Sequence, residues 1–321
     1  MTHMTKFQRL AATTVVATLI LIAIGSIVRT TGSGLGCPDW PLCHGQWHPP
    51  FERTAIIEYS HRTAASIVGA LVVATAAVAL LRHRYDRALV WLAVLSLALL
   101  GFQAWLGKVT VERELPPMVV LVHLANALIL LAVLTKLAVL ARLGAGREPI
   151  ATPERASMLR ILFGCTAAMY VVLLSGAYVV GSGATTACVT WPGCAQAPIP
   201  FIDGGAIEHI HWLHRFAVLG GAAAAGAGAL AVLWSRDAGP QLRRAAQALL
   251  WLYGVQVLSG ALNIWTMFSA TARVLHLVVG STIWALLIVM AVAARYRAAP
   301  VGQSSPAPAG RDGAARDRAA V

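Results

Sequence analysis

The chain has 321 residues, of which 58% are hydrophobic and only 12% are charged, and its mean hydropathy is +0.70. A soluble protein carries about 25% charged residues, so this composition excludes an ordinary soluble domain and indicates a polytopic membrane protein. The formal net charge of +12 would suit a nucleic-acid partner, but the placement of the basic residues argues against one.

Eight apolar stretches are long enough to cross a bilayer, since a spanning helix needs about 20 mostly apolar residues. The first is predicted to be a full-length span and not a cleaved signal, because no small-residue cleavage site precedes the loop that follows it. The sequence therefore predicts an all-α polytopic membrane protein with eight transmembrane helices in the lipid bilayer. The predicted spans lie near 10–30, 62–81, 88–107, 118–140, 159–181, 214–234, 245–265 and 274–294.

Basic residues collect on one side of this arrangement, which holds 18 of the 25 lysines and arginines. Basic loops beside spans mark the cytoplasmic side, so a bacterial-type cell membrane with both termini in the cytoplasm is predicted. The Pro-, Ala- and Gly-rich segment 298–321 is predicted to be a disordered cytoplasmic tail. Most histidines and four of the five cysteines fall toward the outer side, and Cys165 is expected to fill space within the fifth span.

The chain contains an internal repeat. Residues 25–43, GSIVRTTGSGLGCPDWPLC, align with residues 176–194, GAYVVGSGATTACVTWPGC, at an offset of 151 residues. Beyond the outer loop the offset becomes 153. We therefore expect two four-helix bundles, at 8–145 and 155–296, related by a pseudo-two-fold axis along the membrane normal. At the second offset the matched pairs are His61–Arg62 with His214–Arg215, Gln103 with Gln256, Gly107 with Gly260 and His123 with His276.

The matched histidines form two pairs with one spacing, because 62 residues separate His61 from His123 and also His214 from His276. In the predicted topology the members of a pair lie at similar depth near the outer face. Two imidazoles facing each other across a bundle suit the axial positions of a haem iron. The simpler alternative is hydrogen bonding between helices, although ionisable groups inside spans are costly and usually functional. Zinc is disfavoured, since a tetrahedral site needs three or four close ligands.

Glu58 breaks the repeat, because its counterpart in the second half is His211. It precedes His61 by about one helical turn, where a carboxylate could accept a proton or stabilise positive charge beside a porphyrin. The sequence thus predicts chemistry in the first bundle and a haem for electron transfer or structure in the second. The alternative is a carboxylate that favours the helix dipole, and Glu208 lies nearby in the second half at a different register.

Arginines and glutamines are also matched between the halves. Arg62 and Arg215 follow the histidines, where they could contact haem propionates or anchor the helices at lipid headgroups. Gln103 and Gln256 lie inside spans, where they could hydrogen-bond between helices or act as donors in a pocket.

Each half carries the pattern C-x-x-W-P-x-C in the loop after its first span, formed by Cys37 and Cys43 and by Cys188 and Cys194. Cysteines six positions apart can meet across a turn, and disulfides persist on the outer side of a membrane. Each pair could be a structural disulfide or could take part in thiol–disulfide exchange linked to haem handling. Covalent haem attachment is not predicted, because it requires C-x-x-C-H.

These features together resemble the haem A synthase family. The resemblance covers roughly residues 8–295 and is carried by EYSHRTAASIVG, LHRFAVLGG, VHLANA and LHLVVG. Family members oxidise the C8 methyl group of haem O to a formyl group, which gives haem A for terminal oxidases. The resemblance therefore implies haem O as substrate with His61 and His123 as its axial ligands beside Glu58. It also implies a haem b cofactor on His214 and His276.

The resemblance further implies haem O synthase and cytochrome oxidase assembly as partners, and the first cysteine pair of such enzymes is proposed to act in catalysis or haem transfer. Two other functions stay open on the sequence. A di-haem electron-transfer protein explains the four histidines but not the difference between Glu58 and His211. A haem carrier suits the duplicated bundle and the outer cysteines. The electron acceptor, the route of haem O delivery and homo-oligomer formation are left open.

Overall fold

The computed structural model describes residues 4–297, so the predicted tail at 298–321 lies outside the described residues. Within that range, eight helices are long and apolar enough to cross a membrane, which confirms the all-α polytopic membrane fold. Two short strands, β1 (Glu148–Pro149) and β2 (Tyr296–Arg297), pair in antiparallel fashion and join the linker between the halves to the end of the last helix. The helices are α1 (Lys6–Thr30), α2 (Arg53–Arg82), α3 (Arg87–Glu112), α4 (Pro117–Leu143), α5 (Pro153–Gly181), α6 (Ala206–Leu233), α7 (Pro240–Trp265) and α8 (Ala270–Arg295).

Every helix begins before its predicted start, most clearly α2 and α6, which start roughly two turns early. The early turns carry polar residues, so hydropathy alone placed these boundaries too late. Side-chain caps explain other starts: Asp86 and Thr152 each accept a hydrogen bond from the backbone N–H three residues later. As a consequence, His61 and His214 lie inside their helices and not at the ends.

The repeat in the sequence is also a repeat of structure. Both ends of α3 and α7 differ by 153 residues, and so do the starts of α4 and α8. The turn before the last helix of each half contains two successive residues with positive φ, namely Glu114 and Leu115 in the first half and Met267 and Phe268 in the second. These residues are also 153 positions apart, so the halves match in the backbone of a turn as well as in helix boundaries.

Within each half the helices pack as a four-membered ring. In the first half α1 and α3 each contact α2 and α4, and in the second half α5 and α7 each contact α6 and α8. Helices α2 and α4 are therefore diagonal partners, as are α6 and α8. The halves meet where α4 packs on α8, α1 on α8 and α5 on α4. Exchanging the halves exchanges these contacts, as a two-fold axis would require, while the axis and the domain limits stay predictions.

The largest apolar core fills the second bundle and continues into the interface with the first. Leu128 of α4 packs in the same cluster as Leu162 and Ile283 of the second half. Trp284 crosses the interface and donates its indole N–H to the carbonyl of Leu128 at 2.8 Å. Cys165 is unpaired and buried in this core, as expected of a small apolar residue.

Candidate functional site

Each bundle brings one matched pair of histidines together across its interior. His61 lies on α2 and His123 on α4 of the first bundle, and His214 lies on α6 and His276 on α8 of the second. Because the helices of each pair are diagonal partners, the two imidazoles approach from opposite sides of the bundle. Each bundle therefore carries two imidazoles on opposite sides of its interior. That their nitrogens bind iron stays a prediction.

A glycine on a neighbouring helix makes room for each of the four imidazole rings. A Cβ atom added to these glycines would lie 3.1 and 3.5 Å from the ring Cε1 atom in the first bundle, and 3.0 and 3.3 Å in the second. At the two shortest distances, 3.0 and 3.1 Å, a residue larger than glycine would push against the imidazole ring. These four glycines form two pairs that match in the sequence repeat, but their contact with the imidazoles could not be read from the sequence. The contacts are Gly25 with His61, Gly107 with His123, Gly176 with His214 and Gly260 with His276.

The two histidine pairs differ in what their Nδ1 atoms contact. In the second bundle, Nδ1 of His214 lies 2.8 Å from Oγ of Ser175, and Nδ1 of the partner histidine lies 2.9 Å from Oγ of Ser259. In the first bundle, the Nδ1 atoms of His61 and His123 are buried and have no hydrogen-bond partner within residues 4–297. Neither serine was predicted from the sequence, and the signal that could have found them is that apolar residues occupy the matched positions in the first half.

The matched glutamines face the histidines from the third helix of each bundle. Nε2 of Gln103 lies 3.0 Å from Nε2 of His123, and its Oε1 accepts a hydrogen bond from Asn126 at 2.7 Å. In the second bundle, Nε2 of Gln256 lies 3.4 Å from its histidine, and its Oε1 has no partner among the described residues. The counterpart of Asn126 is Val279, which cannot donate a hydrogen bond. Only the first glutamine is therefore held in orientation by a second amide.

Glu58 is buried, with 3% of its surface exposed, between its own helix and the first cysteine loop. Its Oε2 accepts the backbone N–H of Cys37 at 2.8 Å, and its Oε1 accepts Arg62 at 2.5 Å. It lies in the second turn of α2, so it is held by these two donors and not by the helix N-terminus. A buried, oriented carboxylate one turn from His61 is placed to stabilise positive charge or to take up a proton there.

The matched position in the second bundle is filled by His211, which is 6% exposed and has its Nδ1 at 3.2 Å from the carbonyl of Ala184. The nearby Glu208 accepts the backbone N–H of Gly205 at 2.8 Å and so caps the start of its own helix. Glu208 therefore does not replace Glu58. Among the described residues, the first half therefore has a buried carboxylate at this position and the second half has a buried imidazole, while the division of roles between the halves stays a prediction.

Arg62 and Arg215 bind the backbone carbonyls of the two cysteine loops. Arg62 donates to three carbonyls of the first loop at 2.6 to 2.7 Å, and Arg215 donates to three carbonyls of the second. Each arginine thus holds a cysteine loop against the helix that carries a histidine, a role that was not predicted from the sequence. Their contact with haem propionates stays a prediction. The acceptors are Cys37, Asp39 and Leu42 in the first loop and Thr190, Pro192 and Gly193 in the second.

Both predicted disulfides are present, one in each outer loop. They join Cys37 to Cys43 and Cys188 to Cys194, and all four cysteines are buried. Both bonds close loops at the same end of the helix bundles. Whether the first bond exchanges during function stays a prediction.

The first cysteine loop packs tightly against the start of α2. A Cβ atom added to Gly36 would lie 2.4 Å from the backbone of Thr54, so only glycine fits there. Within the loop, the carboxylate of Asp39 accepts the N–H groups of His44 and Gly45 at 2.6 and 2.7 Å. The N–H of Gly45, with help from that of His44, lowers the pKa of Asp39 below its usual value. These contacts fix the conformation of the loop whose Cys37 N–H donates to Glu58.

Comparison with known proteins identifies a family. Residues 8–288 match the COX15-CtaA family model, described as cytochrome oxidase assembly protein. A protein of Symbiobacterium thermophilum named Heme A synthase is 31% identical over 306 residues, which cover 90% of this chain and 94% of that relative. A protein of Geobacillus kaustophilus with the same name is 28% identical over 321 residues, or 92% of this chain and 96% of the relative. A third, from Exiguobacterium sibiricum, is 33% identical over 186 residues, or 57% of this chain and 62% of the relative.

Proposed function

This chain belongs to the COX15-CtaA family of cytochrome oxidase assembly proteins, and we propose that it is a haem A synthase, a multi-pass membrane oxidoreductase with haem O as substrate and haem A as product. One observation carries the proposal. Each bundle carries a pair of histidines on diagonal helices, and within residues 4–297 a buried carboxylate lies one helical turn from a histidine in the first bundle only. The matched family region, residues 8–288, contains all of these groups.

The residues of both bundles fit a haem held between two imidazoles. In the first bundle, the buried Nδ1 atoms of His61 and His123 have no hydrogen-bond partner within residues 4–297, and glycines leave room for both rings. We assign the substrate haem to this pair. We assign haem b to His214 and His276, whose rings are held by serines in equivalent cradles. When bound, haem b supplies one-electron redox chemistry.

Glu58 is the residue that we assign to the chemistry in the first bundle. Converting the C8 methyl group to a formyl group adds one oxygen atom and removes two hydrogen atoms, which is a four-electron oxidation, so protons as well as electrons must be transferred at the site. With a haem bound to His61 and His123, the Glu58 carboxylate could take up or give back a proton or stabilise positive charge that develops there. Arg62 and the N–H of Cys37 hold this carboxylate in one orientation, which lowers the reorganisation that the reaction needs.

We place both sites toward the outer side of the membrane, with the termini in the cytoplasm. The histidines lie at the same end of the bundles as the cysteine loops, whose carbonyls are bound by Arg62 and Arg215. Most lysines and arginines belong to the opposite end. Delivery by a haem O synthase and supply of haem A for cytochrome oxidase assembly are part of this proposal, and the electron acceptor is not identified.

The test is mass analysis of the haems extracted from the chain co-expressed with a haem O synthase. The wild type should yield haem A beside haem b, and Glu58→Ala should yield haem O beside haem b. Glu208→Ala is the matched control, because that carboxylate caps its own helix, and it should still yield haem A. If the wild type yields haem b alone, the synthase proposal fails and a di-haem electron carrier becomes the better account.

A further inference from the structure

We propose that Ser175 and Ser259 are positioning residues that make the second bundle a permanent haem site, and that the lack of their counterparts keeps the first bundle exchangeable. This inference rests on the proposed function, because it takes haem b in the second bundle and a substrate haem in the first. The inference concerns the serines that contact Nδ1 of the histidines and not the histidines themselves.

The serine contacts fix which nitrogen of each imidazole carries the hydrogen. A serine hydroxyl has one proton to donate and lone pairs that accept. The hydroxyl of Ser175 lies 2.8 Å from the carbonyl of Val172 and 2.8 Å from Nδ1 of His214. We assign the hydroxyl proton to the carbonyl, which can only accept, so that Nδ1 donates its hydrogen to the serine oxygen and the lone pair of Nε2 is left for iron. Ser259 repeats both contacts, with the carbonyl three residues earlier and with Nδ1 of His276.

Each serine is paired with the glycine that makes room for the same ring. Ser175 precedes Gly176, and Ser259 precedes Gly260, so one Ser-Gly step on a neighbouring helix supplies both the space and the hydrogen-bond acceptor. An acceptor for Nδ1–H fixes the orientation of the ring and makes Nε2 a stronger ligand. Losing such a partner typically weakens metal binding by about 10- to 100-fold.

The first bundle keeps the glycines but not the serines. The matched steps are Ile24-Gly25 and Leu106-Gly107, and aliphatic side chains cannot accept a hydrogen bond. The Nδ1 atoms of the first histidine pair accordingly have no partner within the described residues. A site that must release its haem after each reaction benefits from weaker ligands, whereas a retained cofactor benefits from stronger ones.

The experiment uses the full-length chain purified in detergent, with Ser175→Ala, Ser259→Ala and the double variant. Retention of haem b is measured against excess apomyoglobin as a haem acceptor, and the midpoint potential of haem b is measured by redox titration. We expect haem b to be lost on the order of 10-fold faster in the variants. The potential should rise, because the ferric iron loses the more basic ligand.

Two comparisons separate positioning from a general structural effect. Ser96→Ala is the matched control, since Ser96 is a buried serine of α3 whose hydroxyl also donates to the carbonyl three residues earlier at 2.8 Å. It should leave haem b retention and potential unchanged. Ser259→Thr keeps the hydroxyl and should restore both values. If the alanine variants do not fold, Leu106→Ser decides, because it should slow the loss of haem from the first bundle.

Unchanged haem b retention and potential in the double variant, in a chain that still makes haem A, would overturn this inference and leave the proposed function intact. A folded Leu106→Ser variant that releases haem from the first bundle at the wild-type rate would also count against it. A wild-type chain without haem b would instead overturn the assignment of the second site on which the inference rests.

Discussion

The two bundles share a scaffold and differ in the groups that surround their histidines. Both have the same helix register, a glycine behind each imidazole, and an arginine that folds a disulfide-closed loop onto the helix. Four matched positions differ in chemistry around this common frame. The lesson is that duplication preserved the four histidines while the polar contacts beside them diverged. The four positions are Glu58 and His211, Asn126 and Val279, Ile24 and Ser175, and Leu106 and Ser259.

The polar groups that one half has and the other lacks make different contacts in the two halves. The polar groups found in the first bundle alone are Glu58, which lies one turn from His61 and binds the first cysteine loop, and Asn126, which holds Gln103 beside His123. The polar groups found in the second bundle alone are Ser175 and Ser259, which contact Nδ1 of the histidines. A carboxylate near a histidine favours chemistry, and a hydrogen-bond partner at Nδ1 favours retention of a metal.

The largest difference between the two bundles is expected when one histidine is removed from each of them. His214→Ala should remove haem b from the purified chain, because one axial ligand is lost from the retained site. His61→Ala should leave haem b in place and abolish haem A formation, because it disables only the first bundle. Both outcomes are measured by pyridine haemochrome spectra and mass analysis of extracted haems.

The opposite pattern would reverse the assignment of the sites. Haem b depleted by His61→Ala but retained in His214→Ala would mean that the first bundle holds the cofactor. His209→Ala serves as the control, since its Nε2 contacts the carbonyl of Asp203 in the second loop, away from the bundle interior. That variant should retain haem b.

Replacing each loop arginine by alanine should lower the stability of the protein by different amounts in the two halves. This effect is smaller than the loss of a haem. Arg62→Ala leaves the buried Glu58 carboxylate without its cation, and breaking a buried ion pair costs about 3–5 kcal/mol. Arg215→Ala frees three carbonyls that lie at the surface and can bind water, so about 1 kcal/mol is expected. Thermal unfolding in detergent should show a clearly larger loss of stability for Arg62→Ala.

Reduction of the disulfides by a thiol is a second test of the arginine variants. Because Arg62 binds the carbonyl of Cys37, its removal should expose the Cys37–Cys43 bond to a thiol reductant more than Arg215→Ala exposes the second disulfide. The double variant Arg62→Ala, Glu58→Gln removes the unpaired charge and should regain part of the stability. Equal losses from the two single arginine variants would show that the Glu58 contact contributes little.

Much of the fold could be predicted from the sequence, because long apolar runs and the offset of 151 to 153 residues between the repeated halves are properties of the chain itself. Helix number, order and the repeat followed from these patterns. The starts of α2 and α6 could not be predicted, since their first turns are polar and hydropathy reports only the apolar part of a helix. Their outward extension is what places Glu58 and His61 on one helix.

The site was predictable where its residues are unusual in a span and unpredictable where they are ordinary. Histidines and a glutamate stand out in an apolar helix, so the pairs and the Glu58 difference could be found. Ser175 and Ser259 could not, because serines in such helices commonly bond only to their own backbone. The role of Arg62 depends on the conformation of a loop whose carbonyls converge only in three dimensions.

The smallest expected effect is a graded one, obtained by replacing the glycines behind the rings with alanine. The added Cβ atom would lie 3.0 Å from the ring of His214 in Gly176→Ala and 3.1 Å from that of His61 in Gly25→Ala. Each ring would have to shift by a few tenths of an ångström, which misplaces Nε2. We expect a several-fold loss of haem b in Gly176→Ala and of haem A yield in Gly25→Ala, measured by haem extraction.

Gly107→Ala is the internal control for this series, because its Cβ atom would make an ordinary contact at 3.5 Å. Alanine is favoured over glycine inside a helix by roughly 0.5–1 kcal/mol, so none of the three changes should destabilise the backbone. Haem content should therefore fall while the unfolding temperature does not, and only at the two close contacts. Equal haem loss in all three variants would mean that glycine is needed there for helix packing. Loss confined to Gly176→Ala and Gly25→Ala would show that each bundle positions its imidazoles through the neighbouring backbone.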